Sequence, residues 1–139
     1  MKKGILILMA GAVIFTSCKK SNDSTAATTQ QKITAKWGVA STIDKEFHFG
    51  VTNTINYTGL AADYVDFRND GKVYTYINSS YGDTAVYTIL DDSHVRFFYP
   101  THSDADTFEI KTLTESSLVL YSKQVLGADY TETTANLKK

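Results

Sequence analysis

From Ile33 onward the chain reads as short runs in which apolar and polar residues alternate, interrupted by clusters of turn-forming residues. No stretch carries apolar residues at i, i+3, i+4 and i+7, the spacing of an amphipathic helix. Val, Ile, Thr, Tyr and Phe dominate, and these β-branched and aromatic residues fit a pleated, half-buried surface. The pattern predicts strands over Lys36–Ile43, Glu46–Tyr57, Tyr64–Arg68, Lys72–Asn78, Thr84–Leu90, His94–Tyr99, Asp106–Leu113, Leu118–Val125 and Asp129–Leu137. In the second of these, Phe47, Phe49 and Val51 share a face, and His48 points the other way, outward. Asn69-Asp70-Gly71, between two aromatic-rich runs, is the strongest hairpin signal, because Asn, Asp and Gly tolerate positive φ. Asp91-Asp92-Ser93 and Thr114–Ser117 mark two further hairpins. Consecutive hairpins make an up-and-down antiparallel meander. Curling it into a small barrel of about eight strands removes the two exposed edges.

Ahead of this all-β domain the pattern changes twice. Met1-Lys2-Lys3 is basic, and Gly4 to Phe15 carries no charge. That run is shorter than the roughly 20 apolar residues needed to span a bilayer, and it matches the apolar region of a secretion signal. Residues 1–17 are therefore expected to be an export signal. Phe15-Thr16-Ser17-Cys18 follows, with small residues directly before the cysteine, and resembles a bacterial lipobox. The resemblance implies that Cys18 is lipidated and becomes the new N-terminus. Lys19 to Lys32 has no aromatic and no large apolar residue, so residues 18–32 read as a lipidated cysteine and a flexible tether. The barrel domain is assigned to 33–139.

Composition narrows the function classes. The chain has 139 residues with 12% aromatic and 42% hydrophobic content, enough for one core. Its net charge is −1 and its only arginines are Arg68 and Arg96, so no basic cluster is present to neutralise nucleic-acid phosphates. Cys18 is the sole cysteine, which excludes an intramolecular disulfide and a cysteine-rich metal site. The glycines are scattered and form no phosphate loop, and no serine lies in a Gly-x-Ser-x-Gly elbow.

Several segments, in order, resemble the small lipocalin-like lipoproteins of Bacteroidetes-type bacteria. Lys36-Trp37-Gly38-Val39 is similar to the lipocalin opening strand. Tyr64-Val65-Asp66-Phe67-Arg68-Asn69-Asp70-Gly71 is similar to their Tyr-x-x-Phe-x-x-Asp-Gly hairpin. Thr84 to Ile89 resembles their Gly-x-Tyr-x-Ile strand. Phe108 to Thr114 with Leu118-Val119-Leu120 resembles their closing repeat. The resemblance implies a lipocalin-like barrel, with Trp37 plugging one end, held at the cell envelope and most readily at the outer membrane. Whether it faces the periplasm or the surface stays open.

Two residue sets are candidates for chemistry. Asp91-Asp92-Ser93-His94 and His102-Ser103-Asp104-Ala105-Asp106 combine histidines with aspartates. An extended strand of this length holds its ends on the order of 25 Å apart, whereas metal ligands must converge. That favours solvated turn carboxylates over a metal site, and neither a metal nor a cofactor is expected. The aromatics Trp37, Phe67, Tyr87, Phe97, Tyr99 and Phe108 fall where alternation allows an inward face. They serve either as a solid core or as the lining of a ligand cavity, since about eight strands suit both. The resulting expectation is a non-enzymatic, membrane-anchored module, monomeric, binding a small apolar or amphipathic molecule at these six residues. The alternative is an envelope interaction or structural module with a solid core.

Overall fold

The computed structural model describes residues 27–139. The expected export signal, Cys18 and the first part of the expected tether lie outside the described residues. The order is a short helix α1 (Thr29–Ile33), then β1 (Lys36–His48), β2 (Val51–Thr58), β3 (Tyr64–Phe67), β4 (Lys72–Ile77) and β5 (Ser80–Tyr81). It continues with β6 (Ala85–Asp91), β7 (His94–Tyr99), β8 (Asp104–Leu113), β9 (Ser117–Leu126) and β10 (Asp129–Lys138). Every pairing is antiparallel. Strands β1, β3, β4, β6, β7, β8, β9 and β10 follow one another around a ring that β10 closes onto β1. The protein is a closed, eight-stranded, up-and-down antiparallel barrel.

Alternation decides the inside. Trp37 and Val39, Val65 and Phe67, Ala85 and Tyr87, Val95 and Phe97, and Leu118 and Leu120 are buried two apart on their strands, and Val73 and Leu137 join them. Burying such a side chain contributes on the order of 1.5–3 kcal/mol, so this layer dominates the stability of the barrel. On the outside of β3, β4 and β5, the rings of Tyr64 and Tyr76 stack at 5.9 Å and Tyr76 meets Tyr81 at 4.8 Å. These are cross-strand pairs, which stabilise the sheet from its solvent face.

The two ends of the barrel differ. One is plugged by α1, which revises the tether expected to run to Lys32. The Thr28 side chain accepts from the Gln31 amide, and the Gln31 side chain returns a bond to the Thr28 amide, so the helix starts on a capping box. Ile33 is buried completely and supplies the apolar anchor that the polar tether composition concealed. The other end is uneven. Strands β3, β4, β6 and β7 are short, whereas β1, β2, β9 and β10 rise above them as a tall wall. Here β2 and β3 lie end to end along one edge of β1, β3 at the plugged end and β2 above it.

The first hairpin also differs from expectation. A break was expected at Asp44-Lys45, yet both residues pair with Thr133 and Glu132 of β10 and with Ile55 and Thr54 of β2. The turn falls instead at Phe49-Gly50, with φ of 49° and 80°. Phe49 therefore leaves the strand face it was expected to share with Phe47 and Val51, and is 86% exposed. Positive φ at a bulky residue is uncommon, and here the neighbouring hairpin supports it. Asp129 Oδ2 meets His48 Nδ1 at 2.6 Å and Asp129 Oδ1 accepts from the Phe49 amide at 3.3 Å.

Candidate functional site

On the short side of the barrel the inward positions of β4, β6, β7 and β8 change character as they approach the open end. Val73, Ala85 and Phe97 are apolar, and Thr75, Tyr99, Asp106 and Asp104 bring in polar groups. Register sets aromatic beside carboxylate, with Phe97 opposite Asp106 and Tyr99 opposite Asp104 on neighbouring strands. Together they bound a cavity of about 900 Å³. Val73, Ala85 and Phe97 form its floor, Thr75, Tyr99, Asp106 and Gln124 its walls, and Asp83, His102 and Asp104 its rim.

Hydrogen bonds hold the polar walls in place. The Gln124 amide nitrogen donates to Asp106 Oδ1 at 2.5 Å, joining β9 to β8 across the cavity wall. His102 Nε2 lies 2.7 Å from Asp83 Oδ2, tying the loop after β7 to the loop before β6. Burial raises the Tyr99 phenol above its ordinary value of 10.0, and the negative charges of Asp106 and Asp83 raise it further. Those two carboxylates therefore act on the same half-buried ring, and the phenol keeps its proton at neutral pH.

Of the six aromatics singled out from sequence, Phe97 and Tyr99 border this cavity. Phe108 packs on Phe97 with ring centres 4.9 Å apart. Phe67 sits one layer deeper, edge-on to Phe97 at 5.7 Å and to Tyr87 at 5.2 Å. Tyr87 is buried near the plug, where its hydroxyl accepts from Gln30 Nε2 at 2.7 Å and donates to the Arg68 carbonyl at 3.0 Å. Trp37 lies at the plugged end, fully buried, with the Lys139 ammonium 4.3 Å from its ring centre. Phe67, Tyr87, Phe97 and Phe108 thus form one connected aromatic cluster, and Phe97 at its upper end borders open space.

The aspartate and histidine set weighed for a metal is divided between the two ends of β7. His94 pairs with Asp91 at 3.0 Å in the turn at the plugged end, whereas His102 belongs to the open rim. Among the described residues no group of three His, Cys, Asp or Glu converges as metal ligands do. Thr75, Asp83 and Gln124 were not singled out from sequence. A signal for the site was present in β8, where the inward series Ile110, Phe108, Asp106, Asp104 passes from apolar to acidic. Register alone brings Gln124 beside it.

Fold and site together define a small closed β-barrel, plugged at one end, with a partly polar cavity at the other. A solved structure of a lipocalin-like protein from Bacteroides uniformis is similar to this chain at 13% identity and a TM-score of 0.46, covering 78% of this chain and 98% of its own. No family model and no curated protein matches the chain.

Proposed function

We propose that this protein is a membrane-anchored, non-catalytic binding protein that takes a small amphipathic molecule into the open half of its barrel. The cavity of about 900 Å³ carries the reading, because its floor is apolar and its walls carry hydrogen-bonding groups. Sites for small ligands are commonly concave, of roughly 300–1,000 Å³, with a few convergent polar groups on apolar walls. An apolar tail covering about 200 Å² of this floor gains on the order of 5 kcal/mol before association costs, which corresponds to micromolar affinity at best without polar contacts. The test is native mass spectrometry of the protein from its own host, paired with Gln124→Trp. That substitution places a large ring in the cavity mouth from an exposed position. The expected result is a retained small molecule that Gln124→Trp excludes. A protein that carries nothing and binds nothing from a varied amphiphile panel overturns the reading.

The anchoring half of the proposal rests on Cys18, the sole cysteine, behind an uncharged run and two small residues. Helix α1 lies at the plugged end, so a lipidated upstream segment joins the barrel at the end opposite the cavity mouth. Cys18→Ala should release the protein from the envelope membrane fraction; unchanged membrane association excludes the lipid. A second reading, an envelope interaction module, draws on the tip of the tall wall. There Phe49, Val51, Val125 and Leu126 are 86%, 68%, 62% and 75% exposed.

A further inference from the structure

The cavity has charge of one sign that its own residues do not balance. Two basic side chains border it, and each is already engaged. His102 is paired to Asp83 at 2.7 Å, and Lys123 Nζ is paired to Glu132 Oε1 at 2.8 Å. Asp104 and Asp106 stand next to each other on the inward face of β8, and among the described residues neither is in an ion pair. Each is register-paired with an aromatic of the cavity, Asp104 with Tyr99 and Asp106 with Phe97. The tall wall continues the same sign. Beyond the bulge of β1, Asp44 and Glu46 lie opposite Thr133 and Thr131, on the face that Ala135 turns toward the core.

From this arrangement we infer that the ligand is a cationic amphiphile, an apolar chain or ring carrying an amino or quaternary ammonium head. The inference rests on the cavity being a binding site. The apolar end lies on Val73, Ala85 and Phe97. The head stands between the carboxylates of Asp104 and Asp106 and the ring of Tyr99. Ring face and carboxylate attract the same cation, the first through the quadrupole of the aromatic ring and the second through its charge. An anionic head in the same place meets the like charge of Asp104 and Asp106, while the two bordering bases are already paired. A fatty acid is therefore the wrong class of amphiphile for this barrel, although its tail would suit the floor.

Three probes of equal chain length separate the possibilities: dodecyltrimethylammonium, dodecanoate and neutral monododecanoylglycerol. They are compared by equilibrium dialysis against the protein below their micelle concentrations. The ammonium probe is expected to bind at least ten-fold more tightly than dodecanoate, with the neutral probe between them. The double variant Asp104→Asn, Asp106→Asn should weaken the ammonium probe at least ten-fold and change the neutral probe less than two-fold. The amide oxygen introduced at position 106 can still accept from Gln124, and position 104 is exposed, so the double variant retains the fold; an unchanged circular dichroism spectrum checks it. Should it fail to fold, Asp104→Lys alone carries the test and should reverse the preference toward dodecanoate. Equal binding of all three probes, or no effect of these substitutions on the ammonium probe, overturns the cationic assignment and leaves the cavity as a binding site. Failure of every probe overturns the binding site itself.

Discussion

The indole nitrogen of Trp37 donates to the carbonyl oxygen of Ile33 at 2.8 Å, and both residues are completely buried. The bond spans the end of α1 and the start of β1. It satisfies one of the carbonyls that a helix C-terminus leaves without a partner. One side chain thereby fills the plugged end and fastens the plug. Trp37→Phe removes the donor and leaves a buried acceptor and a small void, at a cost of about 2–4 kcal/mol in urea unfolding. Because this indole is completely buried, its emission should be blue-shifted and resist acrylamide quenching in the native protein.

The plug should matter as a unit. Ile33→Ala removes a fully buried side chain and should lower stability by about 2–4 kcal/mol. A chain beginning at Lys32 loses the capping box and the Gln30 bond to Tyr87, and should melt below one beginning before Thr28. Equal melting temperatures for the two lengths would show that α1 adds nothing.

Two glycines should respond in a set order. Gly71 has φ of 78° in the turn after β3 and open space around an added Cβ, so Gly71→Ala meets only backbone strain, about 1 kcal/mol. A Cβ on Gly59 would run into the Val39 carbonyl oxygen, where backbone must move. Gly59→Ala should cost more, about 2–3 kcal/mol or beyond. Chemical denaturation of the two variants checks the order.

Asp63 gives the fold an acid limit. Buried in the loop between β2 and β3, it accepts from the Tyr57 hydroxyl at 2.5 Å and from the amides of Leu60 and Asn78 at 2.7 and 3.0 Å. The Tyr57 bond leads in holding its carboxyl below the ordinary 3.8; the two amides add to it, and burial opposes them. A depressed folded value means stability present above 3.8 and lost as pH falls from there through the folded value. For Tyr57 the sign reverses. The bond to Asp63, then burial, raises its phenol above 10.0, so its contribution is present below 10.0 and lost as pH rises through the folded value. Asp63→Asn should lower the melting temperature at neutral pH and flatten its fall under acid. A variant with an unchanged acid profile would remove Asp63 from this role.

Much of the barrel was legible because alternation is a local property. The strands from Tyr64 to Tyr99 follow the apolar and polar pattern, and the Asn69-Asp70-Gly71 turn falls where residues tolerant of positive φ occur. Inward positions of Phe67, Tyr87 and Phe97 follow from the same two-residue period. The first hairpin was misplaced because Phe-Gly carries little turn signal. What holds Phe49 in its turn is Asp129, eighty residues away. Helix α1 was hidden for a related reason: five residues are too short to show periodicity, and Ile33 anchors them only once Trp37 is present to bond it. The site was least legible of all. Sequence marks aromatics as inward but cannot say which meet side chains and which meet space, because that depends on strand length and register around a closed ring. Trp37 and Phe97 read alike in the chain; closure buries one under the plug and sets the other beneath the cavity.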